Sequence, residues 1–231
     1  MGKKRIRDFG IVPGRVKTGE RNAITDVPGV RVGHCTVKTE ENHTGVTVIV
    51  PGPDNAFAKH YTAAAYIHNG FGKSAGVVQV EELGTLETPI ALTNTLNVGK
   101  VLDAMVDVVI EQSRKDGIEP QSINPVVGEC NDCRINHIQK RAIGEKEVRE
   151  AFAAASEEFE EGDVGAGAGT TCYGMKGGIG SASRVITIGE KEYTIGVLVQ
   201  SNFGATEDFV LNGEAVGLKI LEWKQEKSDM A

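Results

Sequence analysis

Glycine is the feature of this sequence that most constrains its fold. The chain contains 29 glycines in 231 residues, roughly 13% against a usual ~7%. The densest stretch is residues 163–180, DVGAGAGTTCYGMKGGIG. Glycine has no Cβ, so such a stretch permits sharp turns and lets the backbone pass close to other backbone or to a substrate. We therefore expect a fold with many tight turns and close backbone approaches.

Composition and charge exclude several classes of protein. Hydrophobic residues make up 40% and charged residues 25% of the chain, as in ordinary globular proteins. The net charge of -7 repels phosphate backbones and argues against nucleic-acid binding. Apolar runs are far shorter than the roughly 20 residues of a membrane-spanning helix. The basic start MGKKRIRD is not followed by the apolar segment of a secretory signal. We expect a cytoplasmic protein without a membrane segment.

Hydrophobic periodicity predicts one mixed α/β domain over residues 1–231, with a flexible polar tail at 225–231. Alternating or β-branched residues predict strands, which we place within 30–50, 76–95 and 184–211. The last of these ranges contains a hairpin across 189–192 and leads to a turn at Asn212-Gly213. Helical spacing predicts two helices, at 97–115 and at 145–161, the second closed by Gly162.

Two local patterns leave a binding module as an alternative. Gly72-Lys73-Ser74 has the end of a phosphate-binding loop, but the required first glycine is replaced by Ile67. The 163–180 stretch lacks a strict GxGxxG between a strand and a helix. Cys130 and Cys133 form a lone CxxC without the second ligand pair of a zinc site. We therefore expect no metal and no cofactor, and keep nucleotide or metal binding open as the alternative.

Six stretches, taken in order, resemble one protein family. The resemblance extends from about residue 8 to 218, and the family is the L-aminopeptidase/D-esterase (DmpA-type) family, which includes the β-peptidyl aminopeptidases. The stretches are NAITDVPGVRVGH (22–34), TGVT (44–47), EELGTLETPIALTNT (81–95), PVVGE (125–129), KGGIGSASR (176–184) and GVLVQSN (196–202).

The resemblance implies a layered αββα sandwich, in which this chain is the α fragment and a second, β chain completes the fold. Members of the family are precursors that cut themselves at a Gly-Ser bond, and the new N-terminal serine becomes the nucleophile. This sequence stops at Ala231, soon after the Asn212-Gly213 hairpin and before the family's processing site, so the nucleophile is expected on the separate β chain. The resemblance further implies a homo-oligomer of αβ units, acting as an aminopeptidase, amidase or esterase on short substrates with a free amine. A non-catalytic homologue is the other alternative.

The resemblance also assigns roles to four residues of this chain. Asn202 matches the family asparagine that stabilises the oxyanion, and Glu129 matches the glutamate that binds the substrate's amino group. Asn131 occupies a position where some members carry an aromatic residue in the substrate pocket. Asn94 is a further candidate for a polar contact with the substrate. The residue types fit these tasks, because an amide donates to an oxyanion and a carboxylate binds an ammonium group.

Overall fold

A computed structural model describes residues 4–229. Its regular elements, apart from single turns of 3-10 helix, are ten strands and four α-helices. In chain order they are β1 (Arg31–Lys38), β2 (His43–Val50), β3 (Tyr61–Thr62), α1 (Val77–Leu83), β4 (Thr85–Leu86), β5 (Ile90–Asn94), α2 (Val98–Lys115), β6 (Val126–Cys130), α3 (Glu145–Ala153), β7 (Thr171–Cys172), β8 (Met175–Lys176), β9 (Ile179–Ile188), β10 (Lys191–Gln200) and α4 (Val216–Asp229).

The central sheet has four strands in the order β1-β2-β5-β6. The pairs β1–β2 and β2–β5 are antiparallel, whereas β5 and β6 are parallel and joined through α2. The strands β9 and β10 form a separate antiparallel hairpin. Two short pairs, β3–β4 and β7–β8, complete the strand pairing.

The alternation of side chains along β2 divides the core into two layers. Val46 and Val48 point to one face and pack with Met105 of α2 and Val148 of α3. Ile49 points to the other face, where it belongs to the cluster that includes Leu198 of β10. A strand with both faces covered is apolar on both, which is why Thr44–Val50 appears as a continuous β-branched run. The described residues thus form helix, sheet and hairpin layers in that order.

One face of the β9–β10 hairpin is apolar and uncovered. Along β10 the inward residues alternate with outward ones, and Tyr193, Ile195, Val197 and Val199 are 42–47% exposed. Ile188, at the end of β9, is 62% exposed. A contiguous row of large apolar side chains of this kind is typical of an interface.

The prediction of a strand at the start of the 76–95 range was wrong. Residues 77–83 form the helix α1, although its three valines favour a strand. Gly76 and Gly84 flank the helix with φ of +79° and +66°, and the Gly84 N–H donates to the carbonyl of Val80. Left-handed glycines of this kind end helices. The strand pairing stops just before α1, at the bridge between Ala75 and Val127.

The second helix is shorter than the predicted 145–161. The helix α3 ends at Ala153, and Ser156 instead pairs with Val32 of β1 through two backbone hydrogen bonds of 2.9 and 3.1 Å. Phe159 fits the helical spacing in the sequence but packs with the β1 cluster, 5.9 Å from the ring of His34. Gly162 does not close a helix, because its backbone pairs with Ile179 at the start of β9. The contacts of residues 156–162 with β1 and β9 therefore outweigh the helical pattern of the local sequence.

The predicted hairpin is confirmed, with a tighter turn, and so is the turn at Asn212-Gly213. Both turn residues have positive φ, 51° and 87°, and a Leu211–Glu214 bridge closes them. Residues 209–210, however, lie outside any strand. Residues 225–229 of the predicted flexible tail continue α4, and 230–231 lie outside the described residues. Within residues 4–229, no helix has the length and apolar character needed to cross a membrane.

Candidate functional site

The carboxyl ends of β5 and β6 lie side by side and bring two of the sequence-predicted residues together. The parallel register pairs Thr93 with Glu129 and Asn94 with Cys130. Ligands of α/β proteins commonly bind beyond the carboxyl ends of parallel strands. This edge of the central sheet therefore forms the candidate site.

Glu129 is held by two neutral donors from different segments. Its Oε1 accepts a hydrogen bond from the backbone N–H of Lys73 at 3.1 Å, and its Oε2 accepts one from the Thr95 hydroxyl. The Lys73 ammonium lies over the Phe71 ring, 3.8 Å from its centroid. A carboxylate oxygen accepts more than one hydrogen bond, so both oxygens keep capacity for a ligand. The group is thus a fixed, half-buried negative charge.

Asn94 lies at the end of β5, 1% exposed, with both ends of its amide already engaged. Its Nδ2 donates to the Thr44 hydroxyl at 2.8 Å, and its Oδ1 accepts from the backbone N–H of Asn97 at 3.2 Å. The second bond caps the turn that leads into α2. Asn94 is therefore built into the floor of the candidate site.

Asn131 begins the turn that follows β6 and is exposed. Its Oδ1 accepts from the backbone N–H of Cys133 at 3.0 Å. The neighbouring Cys130 is half-buried, and burial raises the pKa of its thiol to about 12. Cys133 is exposed. Over residues 4–229 no group of three or more histidine, cysteine, aspartate or glutamate side chains is placed to hold a metal ion.

Asn202 reaches the same edge from the hairpin. The last residue of β10, Gln200, donates from Nε2 to the carbonyl of Thr93 at 3.2 Å and to that of Ala166 at 2.9 Å. The Cys130 thiol donates in turn to the carbonyl of Gln200 at 3.6 Å. Asn202 follows two residues later and is partly exposed. The end of β10 is thereby fixed to the ends of β5 and β6.

The glycine-rich stretch supports this edge by close backbone packing, as its composition predicts. Gly165 has φ +50°, and a Cβ there would lie 2.6 Å from the Nδ1 of His34. A Cβ on Gly169 would lie 2.8 Å from the Cβ of Asp132. Gly165, Ala166 and Gly167 are buried. The buried part of the stretch, residues 164–170, is packed against β1, β2 and the turn after β6.

A second concave region of the surface lies away from this edge. A cavity of about 1170 Å³ is lined by the N-terminal segment, residues 157–162 and the start of β9, and by none of the four candidate residues. Arg5 crosses it and donates to the carbonyls of Asn22 and Ser181, each at 2.7 Å. We place the site at the strand ends, because the chemically suitable groups converge there.

Several residues of the site were missed by the sequence analysis. Thr95 and Lys73 supply the two donors to Glu129, and Gln200 joins the hairpin to the sheet. Asp132 is also buried, and it lies between Cys130 and Cys133 in the sequence. In the sequence, Asp132 stands out only as a charged residue in a short turn between two cysteines. Charged residues in such turns are equally common on protein surfaces, so the pattern does not predict burial.

Comparison with known proteins decides the family. The model of peptidase family S58 matches residues 22–230. The chain belongs to peptidase family S58. Two curated proteins similar to this S58 chain are the β-peptidyl aminopeptidases BapA of Sphingosinicella xenopeptidilytica and of Sphingosinicella microcystinivorans. Each is 38% identical over 226 residues, which cover 94% of this chain and 56% of the relative. The chain thus spans little more than half the length of these relatives.

Solved structures of similar proteins share the fold of this S58 chain. The PH0078 protein from Pyrococcus horikoshii OT3 is 44% identical, with a TM-score of 0.91, over 95% of this chain and 65% of that one. A Burkholderia sp. β-aminopeptidase is 41% identical, with a TM-score of 0.87, over 94% and 62%.

A third similar structure has a fold that has been described by name. The L-aminopeptidase D-Ala-esterase/amidase from Ochrobactrum anthropi is 33% identical, with a TM-score of 0.85, over 94% of this chain and 63% of that one. It is described as a prototype of the serine aminopeptidases and a new variant among the Ntn hydrolase fold. The fold class and the family predicted from the sequence are therefore confirmed.

Proposed function

We propose that the protein is a serine aminopeptidase that releases the N-terminal residue from short peptides, amides or esters. The carrying observation is Glu129, whose carboxylate is fixed by two neutral donors at the shared edge of β5, β6 and β10. An exopeptidase must recognise a free amino group, and a fixed carboxylate does so by charge-assisted hydrogen bonds. The names of the similar proteins support the same activity.

In this proposal the nucleophile is the N-terminal serine of a β chain from the same precursor. A serine hydroxyl needs a base to take its proton. The α-amine of the same residue has an unperturbed pKa of about 7.7–8.0 and serves near neutral pH. Asn202, at the end of β10, donates its amide to the oxyanion of the tetrahedral intermediate. Asn131 lines the substrate pocket beside Glu129, and Asn94 fixes its floor.

The β chain covers the outer face of the β9–β10 hairpin. The row of Tyr193, Ile195, Val197 and Val199 offers it an apolar surface, and a helical layer on that face gives the αββα order. The length that the similar proteins have beyond the matched region is sufficient for such a layer. We further propose that these αβ units assemble into a homo-oligomer in the cytoplasm.

The test is a kinetic comparison of a free and a blocked substrate, made with the processed two-chain protein. We expect hydrolysis of an amino-acid p-nitroanilide and little hydrolysis of its N-acetylated counterpart. Equal rates on both would contradict the exopeptidase assignment. Mass spectrometry of the same sample is expected to show a second chain that begins with serine.

A further inference from the structure

Asp132 is a charged side chain that is almost completely buried, 1% exposed, beside the candidate site. Its Oδ2 accepts from the Thr44 hydroxyl at 2.6 Å, and its Oδ1 accepts from the Nδ2 of Asn136 at 3.0 Å. Burial raises the pKa of this carboxyl group, and the hydrogen bonds from Thr44, Asn136 and Asn94 oppose the rise. Burying a carboxylate is costly unless it is well hydrogen-bonded. The arrangement therefore calls for a reason beyond packing.

The carboxylate fixes the direction of every hydrogen bond between itself and Asn94. An ionised carboxylate only accepts, so Thr44 must give it the single hydroxyl proton. The hydroxyl oxygen of Thr44 then accepts from the Nδ2 of Asn94 at 2.8 Å. The remaining amide atom, the Oδ1 of Asn94, accepts from the backbone N–H of Asn97. A carboxylate at position 132 thus leaves Asn94 one orientation of its amide.

A second set of hydrogen bonds, made by Asn136, holds the turn that carries Asn131. The Oδ1 of Asn136 accepts from the Nδ2 of Asn42 at 2.9 Å and from the backbone N–H of His43 at 3.3 Å. These bonds connect residues 131–136 to the start of β2. Gly169 closes over Asp132 from the other side, where its missing side chain leaves room.

We propose that Asp132 is a positioning residue of the aminopeptidase site. Through Thr44 it sets the amide of Asn94, and through Asn136 it holds the turn that begins directly after Glu129 and Cys130. The inference rests on the proposed function, since it assigns a role within that site. It accounts for a buried charge that neither the oxyanion nor the ammonium contact requires.

The experiment is a double-mutant cycle in the full-length, self-processing protein. Asp132→Asn keeps the shape but brings a donor into the network, and Thr44→Val keeps the shape but removes the hydroxyl. A hydrogen bond to a charged group corresponds to at least about a tenfold change. We expect each variant to raise KM for the free-amine p-nitroanilide by about that factor, with rates normalised to titrated active sites. The double variant should be no worse than Asp132→Asn alone, because Thr44→Val removes one of the hydrogen bonds that Asp132→Asn already disturbs.

The controls separate positioning from general destabilisation. Thr44→Ser, which restores the hydroxyl, should recover most of the loss caused by Thr44→Val. The exposed Thr187 on β9 provides the matched control Thr187→Val, whose kinetics should equal those of the wild type. A destabilised but correctly arranged site loses titrated enzyme without a change in KM.

Three outcomes are decisive. Unchanged KM in Thr44→Val, or additive effects in the double variant, would overturn the positioning role while leaving the aminopeptidase assignment intact. A wild type that hydrolyses no free-amine substrate would overturn the proposed function, and the inference with it. Where Asp132→Asn does not fold, the comparison of Thr44→Val with Thr44→Ser still decides whether the hydrogen bonds from Asp132 through Thr44 position Asn94.

Discussion

Replacing Glu129 by glutamine removes one charge from the site and keeps the shape of the side chain. The glutamine carbonyl can accept from the backbone N–H of Lys73, as Oε1 of Glu129 does. Its amide N–H then faces the Thr95 hydroxyl, which rotates to accept instead of donate. The local structure survives the change, so the effect falls on the bound ammonium group.

The expected size of the effect follows from the geometry around Glu129. A hydrogen bond to a charged group contributes about 1.5–3 kcal/mol, and partial exposure of Glu129 favours the lower half of that range. At about 1.36 kcal/mol for each factor of ten, KM for a free-amine substrate should rise about 10- to 45-fold. The contact exists in both the bound substrate and the transition state, so kcat should change little.

Steady-state kinetics of the proposed two-chain protein on an amino-acid p-nitroanilide measures this change. The exposed Glu192 on β10 supplies the matched control Glu192→Gln, which should leave both constants at the wild-type values. The N-acetylated substrate should respond little to Glu129→Gln, because it has no ammonium group. An unchanged KM, or an equal rise for free and acetylated substrates, would refute the assignment of Glu129.

Other substitutions and reagents test further parts of the structure. Asn202→Ala should lower kcat and kcat/KM alike by about 10²- to 10³-fold in the same assay, and an unchanged kcat would contradict the oxyanion role. Gly165→Ala, at φ +50° and with a Cβ 2.6 Å from an imidazole nitrogen, should unfold at lower temperature or yield no folded protein. Its control Gly99→Ala, with open space around it on the exposed side of α2, should stabilise the protein by about 0.5–1 kcal/mol and raise Tm by roughly 1–4 °C. Maleimide at pH 7 should label Cys133 before Cys130, whose thiol has its pKa raised to about 12 by burial; peptide mapping that finds the reverse order would contradict the described burial.

The parts of the fold that periodicity predicts correctly are those whose burial depends on a repeating face. The long helix α2 buries Val101, Met105 and Val109 at helical spacing, and β2 buries both faces. The predictions failed where one contact outweighs the local pattern. Three valines favour a strand at 77–80, but the segment is a helix, with a left-handed glycine before its first residue and another at its end. Phe159 fits a helix, but its packing on the β1 cluster pulls the chain away from one.

The site shows a similar division. Glu129, Asn131, Asn94 and Asn202 come from segments that the sequence already marks, and the structure gathers their strand ends at one edge. The hydrogen bonds that hold these residues could not be predicted from the sequence, because their partners are far apart in the chain. Lys73 reaches Glu129 across 56 positions, and Thr44 reaches Asp132 across 88. Pairings over such distances are set by the tertiary path of the chain, which a local pattern does not encode.

The separation of the β9–β10 hairpin from the central sheet has a consequence for the order of folding. Its two ten-residue strands pair with each other along their whole length across a short turn, and hairpins form within about 1–10 μs. The central sheet needs the parallel pairing of β5 with β6, which must wait for α2 and for closure of a longer loop. Gln200 finds its acceptor at Thr93 only after both units exist. We therefore expect the strand end that carries Asn202 to dock late, so that the two halves of the candidate site meet in one of the last steps of folding.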